Sequence, residues 1–359
     1  MSGGVDSSVA AHLLRAQGHD VIGLFMRHGQ AGEQDCAAGE PGSLPVLAPH
    51  AHKQGCCTAS DAADARRVAD RLGIPFYAVN FEREFERIVD YFVDEYRHGR
   101  TPNPCVMCNN WIKFGKLFAY ADSVGAEFVA SGHYARLQTE DATEPALLRG
   151  RDPDKDQSYV LFGIDRPLLS RLMFPVGQYN KHEIRDIARE IGIRVADKPD
   201  SQEICFVTQG HYADFVRDRA GDSQPGEIVT TDGTVVGHHD GIEGFTVGQR
   251  KGLGVALGER RYVVVVEPDT ARVVIGERED LACEELTASS TNWLVDPPGE
   301  PMTCSVQIRY SAAPVPATVS TLPDDRLHVA FAAPQFGIAP GQAVVCYDGE
   351  RVLGGGWIN

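Results

Sequence analysis

The first ten residues, MSGGVDSSVA, surround one aspartate with two glycines and three serines. Gly3 and Gly4 allow backbone conformations that turn successive N–H groups toward a single anion. Ser2, Ser7 and Ser8 add hydroxyl donors, and a helix that begins near Ser7 directs its positive end at the same point. This combination of residues predicts a cradle for pyrophosphate.

The aspartate of this loop, Asp6, is unsuited to binding phosphate directly but suits a Mg²⁺ ion that bridges phosphate oxygens. A Gly-rich turn before a Ser-capped helix is the simpler interpretation of the loop. The full pattern Ser-Gly-Gly-x-Asp-Ser is more specific. It resembles the PP-loop of ATP pyrophosphatases, which cleave ATP to AMP and pyrophosphate while activating a carbonyl oxygen as an adenylate. The loop lacks the lysine of a Walker A motif, which argues against transfer of the γ-phosphate.

A loop of this type normally follows a buried strand, but only Met1 stands before Ser2 in the sequence. We expect a central strand of the sheet to belong at this place. Without it, the neighbouring strands would keep unpaired backbone groups at a cost of roughly 1 to 3 kcal/mol each. The sequence therefore favours a start that is misplaced or truncated.

The segment TPNPCVMCNNWIKFGKL (Thr101 to Leu117) carries a second set of reactive side chains. Two prolines stiffen its start, and Asn109 is predicted to cap the helix that follows. Cys108 then lies at or just before a helix N-terminus, where the helix dipole lowers a thiol pKa and favours the thiolate. Cys205 stands far downstream in DSQEICF, at the hinge between the first and second predicted domains.

Three interpretations of these cysteines are open. Cys108 and Cys205 can be small buried residues, as many cysteines are. Cys105 and Cys108 can form half of a zinc site, although no second Cys-x-x-Cys or His-x-His pair of good spacing accompanies them. Alternatively, Cys108 and Cys205 act together in sulfur transfer, in which one thiol carries a persulfide and the other resolves it as a disulfide.

The elements that would position these residues alternate between helix and strand from Val9 to Gly192. Apolar spacing predicts helices after the opening loop, from Ser60 to Gly73, and along a stripe from Phe85 to Tyr96. Strands are predicted at VIGLFM and FYAVNF, and EFVASGHY is predicted to be a strand that ends in a loop. This alternation predicts an α/β fold with a doubly wound parallel sheet that binds ligands at the carboxyl ends of its strands.

Changes in composition along the chain predict three domains. The catalytic α/β domain is predicted at 1–203, a small middle domain with short strands at 204–277, and a C-terminal β-barrel at 278–359. The segment from Gly29 to Gly55 interrupts the first domain and is predicted to be a surface insertion. His50 and His52 within it match no known site and are interpreted as non-functional.

Composition excludes several classes of protein. A length of 359 residues predicts two or three domains. Nine cysteines without a secretory signal argue against a disulfide framework, and the sequence has no apolar run of membrane-spanning length. We therefore expect a cytoplasmic protein. Because the net charge is −16, local basic patches would have to hold any RNA.

The motifs occur together in one order over nearly the whole chain. They are the opening loop, GLFMR, GCCTASDAADARRVA, TPNPCVMCN, SGHYAR, KDQSYVL, DSQEICF, GFTVGQRKGLG, IRYSAAP and PGQAVVCYDGERVLGGGWI. In this the sequence resembles the tRNA-specific 2-thiouridylases, the bacterial MnmA family. The resemblance implies a PP-loop domain, a middle domain and a C-terminal β-barrel. It also implies ATP-dependent replacement of the carbon-2 oxygen of the wobble uridine, position 34, by sulfur.

The resemblance also implies partners. The substrates would be tRNAs for Lys, Glu and Gln. ATP would adenylate the carbon-2 oxygen, so that this oxygen leaves as part of AMP, a good leaving group. A cysteine desulfurase would deliver sulfur as a persulfide, directly or through relay proteins. The target base would leave its stack to be read by stacking and edge hydrogen bonds.

Carried over position by position, the resemblance implies roles for individual residues. Those that would hold ATP are Ser2, Gly3, Gly4, Val5, Asp6, Ser7, Ser8, Met26 and Gly132, with Mg²⁺ bound at Asp6 through the ATP phosphates. Cys205 would take the persulfide, and Cys108 would be the nucleophile that releases the sulfur and leaves a transient Cys108–Cys205 disulfide.

The residues that would contact the target base are Asn103, Pro104 and Cys105. The further tRNA contacts would be His133, Lys155, Asp156, Gln157, Arg309, Tyr310 and Gln342. Outside the family context, the simpler interpretations are a hydrogen-bonded structural histidine at His133, a polar turn at Lys155 to Gln157 and a strand pair at Arg309 and Tyr310.

Two features depart from the family pattern. Many members have Asp where this chain has Cys105, so an acid or base role for that carboxylate cannot apply here. Cys105, Cys108 and Cys205 could instead converge as the three ligands of a labile [4Fe–4S] cluster that binds sulfide. The other departure is the Gly29–Gly55 segment, near the nucleotide edge.

Two other functions remain as alternatives. PP-loop amidotransferases and ligases also adenylate a carbonyl and then add nitrogen, but they do not need Cys108 and Cys205. A non-catalytic RNA-binding relic is the third hypothesis, motivated by the strand that is missing before the opening loop.

Overall fold

The computed structural model describes residues 1–27, 59–139, 144–198, 204–207, 210–221 and 223–359. The predicted insertion from Gly29 to Gly55, with His50 and His52, lies outside the described residues. Within those residues, no helix combines the length and the apolar character needed to cross a membrane.

The N-terminal part consists of helices packed around short parallel strands. The helices are α1 (Val5–Ala16), α2 (Ala59–Leu72), α3 (Glu82–Arg97), α4 (Pro104–Met107), α5 (Leu117–Ser123) and α6 (Lys181–Glu190), and a π-helix (Cys108–Lys116) joins α4 to α5. The strands are β1 (Gly23–Arg27), β2 (Phe76–Asn80), β3 (Val129–Ala130), β4 (Ala135–Gln138), β5 (Ala146–Arg149) and β6 (Leu172–Met173). The helices predicted after the loop, from Ser60 and along the Phe85–Tyr96 stripe are confirmed as α1, α2 and α3.

Helix α3 shows why these elements form. Its apolar residues recur three or four positions apart, and all six of them are buried: Phe85, Ile88, Val89, Phe92, Val93 and Tyr96. Charged residues occupy the other face of the helix. The hydrophobic stripe therefore fixes which side of α3 faces the core.

Two pairs of these strands run in parallel, as predicted, whereas β4 and β5 form an antiparallel hairpin. β1 runs beside β2 from Gly23 opposite Phe76 to Arg27 opposite Asn80. β3 runs beside β6, and in the described residues these two pairs form separate sheets. The segment EFVASGHY, predicted to be a strand that ends in a loop, forms the two-residue strand β3 followed by a loop. Its partner β6 ends just before Phe174 and Pro175, and proline cannot donate a ladder hydrogen bond.

The middle part begins with helix α7 (Tyr212–Ala220) and contains a four-stranded sheet. Its strands are β7 (Gly226–Thr230), β8 (Val235–His239), β9 (Tyr262–Glu267) and β10 (Arg272–Gly276), in the order β8-β7-β10-β9. The short strands predicted for this region are therefore confirmed.

The C-terminal part is a closed six-stranded barrel, as predicted. Its strands are β11 (Ala282–Trp293), β12 (Met302–Gln307), β13 (Val315–Leu322), β14 (Arg326–Phe336), β15 (Ala343–Asp348) and β16 (Arg351–Ile358). They follow the order β11-β14-β13-β12-β15-β16, and pairing of β11 with β16 closes the barrel. The hairpin of β4 and β5 joins the barrel where Leu148 pairs with Arg351, so the first and last parts share one sheet.

Candidate active site

The opening loop wraps the start of α1. Gly3 has a φ of 73°, and a Cβ there would lie 2.4 Å from the Asp61 backbone oxygen. Ser7 Oγ accepts a hydrogen bond from Ser2 N at 3.0 Å, and Ser8 Oγ donates to Gly4 O at 2.8 Å. Only glycine fits at position 3, because both the backbone conformation and the contact with α2 require it.

Asp6 is engaged by two residues from distant parts of the chain. Lys181 Nζ, at the start of α6, lies 2.8 and 2.9 Å from its two carboxylate oxygens. Tyr134 Oη donates to Asp6 Oδ1 at 2.7 Å. A single carboxylate at a phosphate cradle is compatible with Mg²⁺, which usually takes its other ligands from water and substrate phosphates. In the described residues, no three His, Cys, Asp or Glu side chains form a metal-binding group.

Lys198 ties the loop to α2. Its Nζ donates to Gly3 O at 3.0 Å and lies 2.6 Å from Asp61 Oδ1 and 3.2 Å from Asp64 Oδ2. Lys198 stands in the motif DKPDSQEICF, seven positions before Cys205. Lys198 thus links the end of the described segment 144–198 to the opening loop and α2.

Gly132 closes the loop from the other side. A Cβ at Gly132 would lie 2.7 Å from Ser7 N and 2.8 Å from the carbonyl carbon of Asp6. The backbone after β3 thus lies against the first turn of α1, where only glycine fits. This contact supports the predicted place of Gly132 at the nucleotide pocket.

His133 follows Gly132 and is buried. Its Nδ1 lies 2.7 Å from Ser131 Oγ and its Nε2 lies 3.4 Å from Lys113 Nζ. Burial, reinforced by the Lys113 ammonium, lowers the pKa of His133 well below its ordinary value. His133 is therefore a neutral imidazole near pH 7, and both of its ring nitrogens are engaged within the protein.

Cys108 lies inside a continuous helical segment, and not at the start of a helix as predicted. Helix α4 begins earlier because Asn103 is its N-cap, accepting from Val106 N at 3.3 Å, and Pro104 occupies the first turn. The prediction that Asn109 caps the helix is wrong. Asn109 is buried instead, and its Nδ2 donates to Val160 O at 2.8 Å.

The two sulfur-transfer candidates meet at one hydrophobic cluster. This cluster, here called the cysteine-side cluster, consists of Phe81, Phe85, Ile88, Val89 and Ile112. Cys108, Cys205 and Met26 all pack against it while remaining partly exposed. Cys108 and Cys205, which are 97 positions apart in sequence, thus reach the same cluster as Met26, one of the residues predicted to hold ATP.

An aromatic contact holds the Cys205 segment in this place. The Phe206 ring meets the rings of Phe85 and Phe92 edge-on, at centroid distances of 5.7 and 5.0 Å. Cys105, by contrast, is exposed at the start of α4. Because no three such ligands converge among the described residues, Cys105, Cys108 and Cys205 do not fit a [4Fe–4S] cluster in this conformation.

The residues predicted at the target base form a second group, between the Asn103 loop and the barrel. Burial raises the pKa of Tyr310, and the nearby Asp156 and Cys105 add to the shift. The Tyr310 ring lies 6.2 Å from the Tyr159 ring, yet about half of Tyr310 is exposed. An exposed ring beside a polar loop can stack on a base that has left its helix.

The remaining predicted tRNA contacts hold this group together. Asp156 pairs with Arg149 at 2.8 Å, and Gln157 Oε1 accepts from Tyr134 N at 3.0 Å. Arg309 donates to Gly337 O at 2.6 Å. Lys155 lies on the same turn as Asp156 and is partly exposed. Asp156 and Gln157 are thus engaged within the protein, whereas about half of Tyr310 is exposed.

Gln342 joins the barrel to the loop that precedes α4, and this contact gives a testable prediction. Its Nε2 donates to Thr101 O at 3.1 Å and Pro102 O at 3.0 Å. We expect Gln342→Ala to lower the free energy of unfolding by about 1 to 3 kcal/mol, because two carbonyl oxygens lose their donor. Urea denaturation measures this loss. The control is Gln335→Ala, which removes a partly exposed glutamine of β14 whose Nε2 makes a solvent-exposed hydrogen bond to Ala333 O, and an equal effect in both variants would contradict the docking role.

The sequence did not single out four residues that the structure places at the site. Lys113, Tyr134, Lys181 and Lys198 each reach the loop or its neighbours from a distance in sequence. Tyr134 lies within the motif SGHYAR and Lys198 lies two positions before the motif DSQEICF, but neither motif indicated the role of these residues. Lys181 carries one local signal, because it directly follows the helix N-cap Asn180.

Comparison with protein-family models divides the chain into three matched regions. Residues 1–209 match a model described as a tRNA methyl transferase HUP domain. Residues 213–277 match a tRNA methyl transferase PRC-barrel domain, and residues 283–358 match an aminomethyltransferase beta-barrel domain. The matched regions cover nearly all of the chain.

Similar full-length proteins carry one name. The chain is 56% identical to the tRNA-specific 2-thiouridylase MnmA of Rhodopirellula baltica, over 100% of this chain and 95% of the relative. It is 47% identical to the protein of the same name from Geobacter metallireducens, over 100% and 95% of the two chains. For the one from Clostridioides difficile, the identity is 43% over 100% and 96%.

Proposed function

The chain belongs to the family of tRNA-specific 2-thiouridylases and is a tRNA-uridine 2-sulfurtransferase, and on this premise we propose how its residues carry out the reaction. The wobble uridine is adenylated on its carbon-2 oxygen at the opening loop, and sulfur then arrives from a persulfide on Cys205. One observation carries the proposal. Cys108, Cys205 and Met26 pack against the same cysteine-side cluster, which brings both thiols to the nucleotide end of the sheet.

Adenylation is the first step. The carbon-2 oxygen of uridine bonds to the α-phosphorus of ATP, the bond from this phosphorus to the pyrophosphate oxygen breaks, and the N3 proton is lost. The glycines and serines of the loop, together with the N-terminus of α1, bind the pyrophosphate. When Mg²⁺ is bound, it neutralises phosphate charge at Asp6.

Sulfur transfer follows. The terminal sulfur of the Cys205 persulfide bonds to carbon 2, and the carbon–oxygen bond breaks with AMP taking the electron pair. The Cys108 thiolate then attacks the Sγ of Cys205, the bond between that Sγ and the transferred sulfur breaks, and N3 regains a proton. The product is 2-thiouridine, and a cellular thiol reduces the Cys108–Cys205 disulfide before the next turnover.

The substrates and the donor follow from the family resemblance and from the chemistry. We propose tRNAs for Lys, Glu and Gln as substrates and a cysteine desulfurase or a sulfur-relay protein as the persulfide donor, in the cytoplasm. The matched domain models are named after methyl transfer. A PP-loop together with two cysteines at one cluster suits thiolation better, since methyl transfer needs neither adenylation nor a persulfide.

Mass spectrometry of wobble uridines in tRNA from cells that lack this gene tests the proposal. We expect the 2-thio group to disappear in these cells and to return when the gene is restored. Persistence of the 2-thio group in the deletion strain would contradict the proposal. Exchange of pyrophosphate into ATP in the presence of tRNA separates the enzyme from an RNA-binding relic, which gives no exchange.

Lys181 provides a prediction about ATP binding. Its ammonium lies 2.8 Å from Asp6 Oδ1, and its side chain is only 12% exposed. We propose that Asp6 would hold Mg²⁺ in the ATP complex and that Lys181 would then donate to the ATP phosphates. Because a hydrogen bond to a charged group contributes about 1.5 to 3 kcal/mol, Lys181→Met should raise the KM for ATP by about 10- to 100-fold.

Steady-state kinetics at saturating tRNA measure this KM. The control is Lys116→Met, since Lys116 is a 57% exposed lysine on the π-helix, near Glu84. An unchanged KM for ATP in Lys181→Met would show that Lys181 serves only to hold Asp6.

A further inference from the structure

Lys113 lies on the same π-helix as Cys108 and contacts His133, which directly follows Gly132 at the opening loop. Its Nζ is 3.4 Å from His133 Nε2. An ammonium can only donate, so Nε2 must accept, and the ring proton sits on Nδ1 and is donated to Ser131 Oγ at 2.7 Å. The neutral imidazole thus positions the ammonium without cancelling its charge.

The charge of Lys113 has no counter-ion in the part of the chain that the structure describes. No carboxylate there lies within 4 Å of its Nζ, whereas Lys181 and Lys198 each contact an aspartate. Lys113 is also partly buried, and the buried His133 beside it is kept neutral. A partly buried cation without a counter-ion is costly, so the arrangement suits an anion that arrives with the substrate.

The place of Lys113 in the fold identifies this anion. The π-helix Cys108–Lys116 forms hydrogen bonds five residues apart, so Cys108 and Lys113 lie one turn from each other on it. His133, which Lys113 contacts, directly follows Gly132, and Gly132 lies against the backbone of Asp6 and Ser7. A phosphate held by the loop and attached to a base near Cys108 would therefore lie beside Lys113.

We propose that Lys113 is a catalytic residue that binds the α-phosphate of the adenylated uridine. This inference rests on the proposed function and adds a residue to it. In adenylation, Lys113 donates a hydrogen bond to a non-bridging oxygen while the uridine oxygen bonds to the α-phosphorus and pyrophosphate departs. In sulfur transfer, it stabilises the negative charge that AMP gains when the carbon–oxygen bond breaks. Lys113 keeps its own proton throughout.

Pyrophosphate release with saturating tRNA and ATP tests the proposal in the full-length protein. We expect Lys113→Met to lower kcat by about 10²- to 10³-fold, the range seen when one charge-stabilising donor is removed. Lys113→Gln keeps a donor to His133 but loses the charge, so it should show a similar loss. Lys113→Arg should recover part of the rate. The control Lys116→Met removes an exposed lysine three residues further along the same π-helix and should keep the full rate.

Two further measurements separate catalysis from structure. The tRNA affinity of Lys113→Gln and its melting temperature should match those of the unchanged protein. A kcat equal to that of Lys116→Met, or a loss of rate that follows a lower melting temperature or weaker tRNA binding, would overturn the inference. If the unchanged protein releases pyrophosphate with tRNA but forms no 2-thiouridine, the proposed function fails while the role of Lys113 in adenylation still stands.

Discussion

Replacing either Cys108 or Cys205 by serine should abolish 2-thiouridine formation, with a loss of at least about 10³-fold, because each thiol makes or breaks a bond to sulfur. Release of pyrophosphate from ATP in the presence of tRNA should continue in both variants, since adenylation uses the opening loop. The two single variants should be as inactive as the double variant, because residues that act as one unit are not additive. Mass spectrometry of the tRNA product and a coupled pyrophosphate assay measure the two half-reactions.

The chain offers a matched control in Cys283. It is a free and exposed cysteine at the start of β11, in the C-terminal barrel. Cys283→Ser should thiolate tRNA at the full rate, which excludes a general effect of removing a thiol. If both Cys108→Ser and Cys205→Ser still form 2-thiouridine, the persulfide scheme is wrong. If Cys108→Ser and Cys205→Ser lose pyrophosphate release together with 2-thiouridine formation, the two cysteines support the fold of the site rather than sulfur transfer.

The sequence predicted the elements of the fold well where a hydrophobic pattern is long. The stripe of α3 is regular over twelve residues, from Phe85 to Tyr96, and every member of it is buried. After residue 278, short apolar runs alternate with proline and glycine, and this pattern correctly predicted a C-terminal β-barrel. In both cases the pattern is local, so the residues that determine the element lie within it.

Local patterns were less reliable where two residues could play the same role. Both Asn103 and Asn109 can cap a helix, and the prediction chose Asn109. The structure shows Asn103 as the cap, because Pro104 suits the first helical turn and Val106 N is in reach of the Asn103 side chain. The pair Asn103–Pro104 is a known signal for a helix start, so the sequence did contain the correct answer.

The candidate site could be predicted only in part for a different reason. The contact of Asp6 with Lys181 joins residues 175 positions apart, and that of Lys113 with His133 joins residues 20 positions apart. No periodicity relates such residues, so only the folded chain shows that they meet. Joint action of Cys108 and Cys205 was one of three interpretations of the cysteines, and the family resemblance implied their roles; both residues pack against the cysteine-side cluster.

A single methyl group at Gly132 should inactivate adenylation. The Cβ of Gly132→Ala would lie 2.7 Å from Ser7 N, 2.8 Å from the Asp6 carbonyl carbon and 3.0 Å from Ser7 Cα. All three atoms belong to the backbone of the loop, so no side-chain rotation can relieve the clash and the loop must move. A displacement of about 1 Å at a catalytic site can cost about 10²-fold in rate. Here the loop also binds the pyrophosphate, so we expect a loss of about 10³-fold or more in kcat/KM for ATP.

Gly299→Ala provides the control for this variant. Gly299 lies in an exposed turn of the barrel, and a Cβ there would meet no atom within 4 Å. Both variants add the same methyl group, but only Gly132→Ala should lose pyrophosphate release. tRNA binding should survive in both, since the surface around Tyr310 is formed by other elements. Full pyrophosphate release in Gly132→Ala would mean that the loop can shift without losing its hold on ATP, and the close contact between Gly132 and the loop would then have no part in nucleotide binding.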